Sequence, residues 1–249
     1  MQGSDVLVMM KEQFDFRHFT ICQSRCAMKV GTDGVLLGAW AQGGPRILDV
    51  GTGTGLVALM MAERFPQARI TAIDIDEDAC QQACDNVLAS PYADRVEVVN
   101  RSLQQFACAG TVERDRPIVF DAIVSNPPYF SDSLKNPDKK RQVARHTDML
   151  SYRDLFAGVT CLLAGDGVFC MIAPSTELDR ILTESYIQGL SMISRYAVKT
   201  TPDKLPKRYL LAFSPKRPAT VDVRTVNLTE RDGSRSEWYR NLTDNFYLR

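Results

Sequence analysis

Four consecutive residues, Asn126-Pro127-Pro128-Tyr129, carry the groups needed to hold a flat heterocycle that bears an amino group. The side-chain oxygen of Asn126 can accept one hydrogen from an exocyclic amine, and the carbonyl oxygen of Pro127 can accept the other. Two acceptors draw the nitrogen lone pair out of ring conjugation and direct it at an electrophile. Tyr129 can stack on the ring, a contact of about 1–3 kcal/mol. The structural alternative is a plain strand-ending turn with a buried tyrosine.

The preceding apolar run, Phe120-Asp121-Ala122-Ile123-Val124-Ser125, predicts a buried strand that the two prolines must end. In an open parallel α/β sheet, ligands bind beyond the carboxyl ends of the strands. We therefore expect the amide and the aromatic ring to stand at a ligand-binding edge.

A second motif supplies a nucleotide half-site. The strand Arg46–Val50 is predicted to feed Gly51-Thr52-Gly53-Thr54-Gly55 and then a helix, and the next strand, Ile70–Asp74, ends in an acid. Glycines let the backbone approach a ligand, and Asp74 can accept from both ribose hydroxyls. NAD proteins and S-adenosylmethionine proteins share this arrangement, and residues 53–58 also fit the dinucleotide pattern Gly-x-Gly-x-x-Gly/Ala.

Two features favour S-adenosylmethionine as the cofactor. Asp49 stands just before Gly51, where an acid can bind the ammonium group of a methionine moiety, directly or through water. A carboxylate at that place would repel a pyrophosphate, since like charges disfavour each other at short range. Hydride transfer also has no need of Asn126-Pro127-Pro128-Tyr129. The pattern therefore predicts methyl transfer.

Strands and helices alternate along the chain, which predicts an α/β protein with a doubly wound, mostly parallel seven-stranded sheet. The last two strands, near Ser191–Lys199 and Arg208–Ser214, are expected to form an antiparallel hairpin at the sheet edge. We expect residues 1–45 to form an N-terminal lead-in that closes over the cofactor site, and residues 46–249 to form the main domain. Thr32 or Asp33 is expected to cap a helix, or their loop closes over a ligand.

Composition bounds the function classes. The chain has 249 residues, of which 45% are hydrophobic, so a substantial core is available. No apolar run approaches the roughly 18 residues of a membrane span, and the N-terminus has no signal pattern, so we expect a cytoplasmic protein. Seven cysteines, two histidines and no Cys-x-x-Cys predict reduced, mostly buried thiols and no metal.

Formal net charge is zero, but two segments are basic. Between Lys135 and His146 there are five cations and one carboxylate, and between Lys199 and Arg217 there are six cations and one carboxylate. Such segments fit either a polyanionic partner or simply solvated loops.

The motifs together resemble class I S-adenosylmethionine-dependent methyltransferases that act on amino nitrogens. More narrowly, residues 26–40, Arg145-His146-Thr147 and Leu205-Pro206-Lys207-Arg208 resemble the bacterial tRNA(Val) adenine-N6 methyltransferases. The resemblance extends from about residue 15 to Leu248. Its motifs are specific for methyl transfer and only moderately specific for tRNA.

This resemblance implies a Rossmann-like class I fold and methylation of the N6 amine of an adenine in tRNA, the purine 3′ of the anticodon. We expect a monomer that binds tRNA, no membrane and no metal. The implied site residues fall into three groups: catalytic Asn126, Pro127, Pro128 and Tyr129; cofactor-binding Asp49, Gly51, Gly53, Gly55, Asp74, Ser102, Thr32 and Asp33; and tRNA-binding Lys139, Lys140, Arg141, Arg145, His146, Lys207 and Arg208.

One position departs from the family pattern. Such enzymes place an aspartate against the adenine amino group of the cofactor after the third strand, and Ser102 aligns there. A hydroxyl accepts the same hydrogen bond more weakly than a carboxylate. Looser cofactor binding is expected, unless a neighbouring polar residue substitutes.

Three alternatives stay open from the sequence. Asn-Pro-Pro-Tyr also occurs in enzymes that methylate a glutamine amide of a release factor, although those carry an added N-terminal helical domain for which 45 residues leave little room. Methylation of a guanine amine in ribosomal RNA is a further variant. A dehydrogenase or NAD-binding Rossmann module is the alternative from another class.

Overall fold

The computed structural model describes residues 13–26, 29–112, 119–127 and 150–248. Pro128 and Tyr129 lie outside these ranges, as does the basic stretch 139–146. The catalytic role predicted for those two residues and the tRNA contacts predicted for Lys139, Lys140, Arg141, Arg145 and His146 therefore stay predictions.

The described residues form ten β-strands and seven α-helices. The strands are β1 (Gln13–Asp15), β2 (Thr20–Cys22), β3 (Arg46–Val50), β4 (Arg69–Asp74), β5 (Val96–Asn100), β6 (Phe120–Ser125), β7 (Leu163–Pro174), β8 (Ser191–Lys199), β9 (Arg208–Ser214) and β10 (Asp222–Asn227). The helices are α1 (Thr32–Trp40), α2 (Leu56–Arg64), α3 (Glu77–Leu88), α4 (Leu103–Val112), α5 (Tyr152–Leu162), α6 (Leu178–Ile187) and α7 (Glu237–Thr243).

Eight strands form one sheet in the order β10-β8-β9-β7-β6-β3-β4-β5, and β1 and β2 form a separate antiparallel hairpin. Within the large sheet, β9 runs antiparallel to β7 and β8, and the other paired strands run parallel. Consequently β3, β4, β6, β7 and β8 end at one edge of the sheet, where β9 begins. We call this the carboxyl edge; it is the ligand-binding side in such folds.

Helices cover both faces of the sheet. Apolar residues of α1 and α2 pack with Ile47, Ala122 and Leu210 in one buried cluster. Residues of α5 and α6 pack with Leu48, Ile123 and Phe213, which alternate with the first set and so face the opposite side. The prediction of a doubly wound, Rossmann-like α/β fold is confirmed.

The sheet has one strand more than the seven predicted. β10 pairs in parallel with β8, so the β8–β9 hairpin is not at the sheet edge. Most of β10 is exposed, and within it Val226 is the buried residue. An edge strand with so little apolar periodicity is hard to recognise from sequence.

The lead-in packs against the main domain. Phe16, Phe19 and Ile21 around the β1–β2 hairpin and Leu36 of α1 belong to the same buried cluster as β3 and α2. Gly38 of α1 lies so close to Met60 of α2 that an added Cβ would stand 2.7 Å from its sulfur. The boundary predicted after residue 45 stays a prediction.

All seven cysteines are in the described ranges and are free thiols. Cys26, Cys80 and Cys170 are buried, whereas Cys22, Cys108 and Cys161 are exposed, so the expectation of mostly buried thiols is wrong. No helix within the described ranges has the length and apolarity of a membrane span.

Candidate active site

The glycine-rich turn between β3 and α2 is held across the end of β4. The backbone amides of Gly51 and Thr52 donate to the carbonyl of Ile73 at 2.9 and 3.0 Å. Gly51, Gly53 and Gly55 have φ of 72°, 56° and 82°, in the left-handed region that favours glycine. A Cβ added at Gly51 or Gly53 would meet no atom within 4 Å, so this turn borders open space that a ligand can enter.

Asp74 faces the same turn from the end of β4. Its carboxylate accepts from the amide of Gly53 at 2.8 Å and from the amide of Asp76 at 3.0 Å. Each oxygen keeps a lone pair for a further donor. Asp74 thus orients the glycine turn and the start of α3 and can still accept from a ligand's hydroxyl groups.

Asp49 lies beneath the turn and is fully buried. It accepts from the Thr52 hydroxyl at 2.7 Å and from the amide of Ala58 in the first turn of α2. Burial raises the pKa of the Asp49 carboxyl to about 7; the nearby Asp74 charge adds to the rise, and the two donors oppose it. A cation bound close by would favour the ionised form.

Asn126 and Pro127 follow β6, next to the glycine turn. Ser125 pairs with Val50 in the sheet register, and its hydroxyl donates to the Val50 carbonyl at 2.9 Å. The chain therefore leaves β6 as Asn126 where the neighbouring strand leaves as Gly51. Asn126 is half-buried and Pro127 is buried. The structure brings Asp49, the glycine turn, Asp74 and Asn126 to one edge, as the sequence predicted.

Ser102 has a structural role at the start of α4. Its hydroxyl accepts from the amide of Gln105, and its own amide donates to the Gln105 side chain, both at 3.2 Å. This reciprocal pair is a capping box. The contact predicted between Ser102 and a cofactor adenine stays a prediction.

The expectation that Thr32 or Asp33 caps α1 is wrong. Gly31 is the capping position, and it provides no side-chain cap hydrogen bond. Asp33 instead accepts from Nε of Arg208 at 2.6 Å. The pair joins α1 to the start of β9, because Arg208 is the first residue of that strand. In the sheet register Arg208 lies opposite Pro174, the last residue of β7. We call this ion pair the α1–β9 clasp. A cofactor contact by Thr32 or Asp33 stays a prediction.

The basic segment 199–217 is divided by the fold. Lys207 and Arg208 lie at the carboxyl edge, where β9 begins. Lys216 and Arg217 follow the last residue of β9 and therefore lie at the opposite edge. This part of the sequence forms two separate surfaces, and its first half stands beside the site.

Two polar residues of α3 were not predicted from the sequence. Asn86 is buried, and its amide group donates to the carbonyls of Cys22 and Thr54, both at 2.8 Å, while its oxygen accepts from the Cys22 amide at 2.9 Å. It thereby ties the lead-in to the glycine turn. Gln82, also buried, accepts from the Arg25 amide at 3.2 Å. Their four-residue spacing on the apolar face of α3 was the available signal.

Cys26 extends the lead-in toward the acids of the site. Burial, with the charges of Asp74 and Asp76, raises the pKa of the Cys26 thiol to about 11. The lead-in therefore runs beside the end of β4. Within the described ranges, no cluster of three or more histidine, cysteine, aspartate or glutamate side chains could hold a metal ion.

Comparison with known proteins adds to this geometry. Residues 28–151 match the methyltransferase small domain family. A tRNA1(Val) (adenine(37)-N6)-methyltransferase of Bacteroides thetaiotaomicron is 45% identical over 238 residues, covering 94% of this chain and 97% of the relative. One of Phocaeicola vulgatus is 48% identical with the same coverage.

A solved structure from Agrobacterium tumefaciens, described as a predicted O-methyltransferase, aligns with a TM-score of 0.63 at 16% identity. The alignment covers 88% of this chain and 98% of that chain, and at this identity it shows the fold alone. The relatives decide the family, because they are 45% and 48% identical to this chain over 94% of its length. The chain belongs to the family of tRNA1(Val) (adenine(37)-N6)-methyltransferases.

Proposed function

We propose that this enzyme transfers a methyl group from S-adenosylmethionine to the N6 amine of adenine 37 in tRNA1(Val). The two relatives described above are named for this activity on adenine 37 of tRNA1(Val). One structural observation supports the proposal most directly: the open space at Gly51 and Gly53 adjoins the end of the neighbouring strand β6, which Asn126 follows. A cofactor on the glycine turn and an amine held by Asn126 would therefore meet at one edge.

The residues present fit S-adenosylmethionine. The backbone of Gly51 and Gly53 can approach the cofactor because no side chain fills the space beside them. Asp74 has lone pairs left to accept from the ribose hydroxyls. The ionised form of Asp49 would be favoured by the amino acid ammonium group. When bound, the cofactor supplies an electrophilic methyl carbon on a sulfonium.

Asn126 and the Pro127 carbonyl hold the adenine amine by accepting its two hydrogens. The amine keeps its protons until it has been alkylated, so the site needs no strong general base. Catalysis in this scheme is mainly positioning and orientation. Tyr129 stacks on the base, which is splayed out of the anticodon loop as RNA bases in single-stranded loops generally are when proteins read them.

The basic stretch 139–146 and Lys207 contact phosphates on either side of the site. Arg208 is better assigned to the α1–β9 clasp, since Asp33 already takes its guanidinium. We propose a monomeric enzyme that acts on its tRNA in the cytoplasm. The names of the relatives favour tRNA adenine over a release-factor glutamine, a ribosomal guanine or a nicotinamide cofactor.

The test is incubation of the purified enzyme with an unmodified tRNA1(Val) transcript and labelled cofactor, followed by nucleoside mass spectrometry. We expect N6-methyladenosine, none from a transcript with guanine at position 37, and a loss of about a hundredfold or more in rate for Asn126→Ala. Parallel pools of ribosomal RNA and protein are the controls for the alternatives. Label in either pool, with none in tRNA, would refute the proposal.

A further inference from the structure

The loop between β8 and β9, residues 200–207, lies at the carboxyl edge, because β8 ends there and β9 begins there. Its most exposed apolar residue is Leu205, with 86% of its surface accessible. Leu205 lies between Lys204 and Lys207, which are also exposed. Leu205 and the two lysines are exposed, so none of these three side chains packs in the hydrophobic core.

This loop is held by contacts on both sides. The amide of Lys207 donates to the carbonyl of Val198 at 3.0 Å, and the amide of Lys204 donates to that of Thr201 at 3.2 Å. The segment after β10 supports it as well: the Thr229 amide and hydroxyl both donate to the Thr200 carbonyl, at 3.0 and 2.9 Å. Leu205 is therefore presented to solvent by an ordered backbone, and binding through it would cost little further ordering.

The charge of the loop favours an anionic partner. Its one carboxylate, Asp203, is bound through both oxygens by Arg231 at 2.9 and 3.1 Å. Among the described residues, neither Lys204 nor Lys207 forms a salt bridge. Two lysines that form no salt bridge with a described residue, beside an apolar side chain, match a nucleic acid strand, in which flat apolar base faces alternate with phosphates.

The loop stands within reach of the site. β9 is the second strand from β6 in the sheet order, and its residue Leu211 is level with Ser125 at the end of β6, about 10 Å away at ordinary strand spacing. β9 begins three residues farther along, at Arg208, which therefore lies about 14 Å from the end of β6. Asn126 follows β6 directly. Nucleotides on either side of a base held by Asn126 would therefore pass over this loop.

We propose that Leu205 packs on the base next to the reacting adenine and that Lys204 and Lys207 bind the adjoining phosphates. Leucine is among the apolar side chains that separate stacked bases. By packing on the neighbouring base, Leu205 keeps the anticodon loop of the tRNA open while the adenine is extruded. This inference rests on the proposed function, because it takes tRNA as the substrate.

The test compares wild type with Leu205→Ala and with the conservative Leu205→Met. We expect Leu205→Ala to raise the KM for tRNA1(Val) about five- to tenfold, with cofactor affinity and the midpoint of thermal unfolding unchanged, and Leu205→Met to stay near wild type. Leu88→Ala is the matched control: Leu88 is 74% exposed but ends α3, toward the opposite sheet edge. An unchanged KM in Leu205→Ala overturns the inference.

A second measurement locates the contact on the RNA. Anticodon stem-loops with an abasic site immediately 5′ or 3′ of the target adenine are assayed with wild type and Leu205→Ala. At the base that Leu205 contacts, removal of the base should raise the wild-type KM and abolish the difference between the two proteins. Additive effects at both positions would overturn the inference.

The outcomes separate this inference from the proposed function. If wild type methylates no tRNA, the proposed function fails. If wild type methylates tRNA and Leu205→Ala has the same KM, the inference alone fails. Sedimentation of both proteins covers the rival use of the loop: a dimer of wild type that Leu205→Ala dissociates would assign Leu205 to self-association and overturn the RNA contact.

Discussion

At the scale of single residues, the Asp49 carboxyl group has both a structural role and a position next to the predicted cofactor site. It caps the buried first turn of α2 through Ala58 and accepts from Thr52, and it stands under the turn that borders the ligand space. Burial opposes its ionisation, so its charge costs folding free energy. A bound cation would offset that cost, so the pH dependence of stability is informative.

We predict that replacing Asp49 by asparagine changes how stability depends on pH. The folded-state pKa of about 7 exceeds the ordinary value of 3.8, so between these values the folded state binds more protons than the unfolded state. Stability from this group is full below pH 3.8 and is lost as pH rises through 7. Over that window the loss is about 4 kcal/mol in wild type and absent in Asp49→Asn.

Urea unfolding of both proteins between pH 5 and pH 8 measures this difference. The free energy of unfolding of wild type, relative to Asp49→Asn, should decline as pH rises. Parallel profiles for the two proteins would show that the Asp49 carboxyl titrates alike in the folded and unfolded chain.

We also predict that Gly53→Ala weakens cofactor binding by at least about tenfold, because its φ of 56° disfavours a side chain and its Cβ would enter the ligand space. Gly189→Ala is the matched control, since Gly189 has φ of 75° and open space around it but follows α6. Both variants should lose about 1 kcal/mol of stability. Calorimetric titration with cofactor should separate them, and equal affinities would contradict the assignment of the turn.

At the scale of elements, the α1–β9 clasp joins the lead-in to the antiparallel strand of the sheet. Asp33 and Arg208 are each mostly shielded from solvent, with side chains 18% and 34% exposed, so the pair is stronger than a surface ion pair. It fixes the first turn of α1 at the carboxyl edge. Arg208 acts there as a positioning residue.

A double-mutant cycle with Asp33→Asn and Arg208→Gln tests the clasp. We expect each single variant to lose about 1–2 kcal/mol of stability and the double variant to lose little more, because both remove the same contact. The salt dependence of tRNA binding should stay as in wild type. If Arg208→Gln instead lowers the salt slope by about one and leaves stability intact, Arg208 is a phosphate ligand.

Asn86 of α3 connects the strand β2 of the lead-in to the glycine turn. Without its three hydrogen bonds, the Cys22 strand and the Thr54 carbonyl would lose their buried partners. The glycine turn is thus supported from β4 through Asp74 and from α3 through Asn86. The lead-in and the turn share one support and are expected to move together.

At the scale of the whole molecule, the net charge is zero but the cations are unevenly distributed along the chain. The fold separates Lys216 and Arg217 from the cations at the carboxyl edge, which restricts the basic surface near the site to part of the 199–217 segment. A net charge of zero keeps long-range attraction to RNA weak, so local cations determine affinity.

We predict that charge reversal of Lys139, Lys140 and Arg141 to glutamate weakens tRNA binding and lowers its salt slope, because these cations displace counterions from phosphates. Cofactor affinity should be unchanged. The control reverses Lys216 and Arg217, which lie at the opposite edge of the sheet. A salt titration by fluorescence anisotropy decides, and equal tRNA affinity in the first variant and wild type would exclude the 139–141 stretch from the interface.

The sequence by itself determined the parallel sheet, its seven most apolar strands, the glycine turn and the grouping of Asp49, Asp74 and Asn126 at one edge. These follow from local rules: strand periodicity, prolines that end a strand and the common direction of parallel strands. They also carried the family resemblance that the relatives confirm.

Only the tertiary structure decided what joins those parts. Asp33 and Arg208 are 175 positions apart, and Asn86 and Cys22 are 64 apart, so no local pattern records either contact. The same holds for β10, whose polar residues form a strand because β8 offers them free backbone groups. Hydrogen bonds and ion pairs between distant segments depend on where the packed chain returns, which periodicity does not encode.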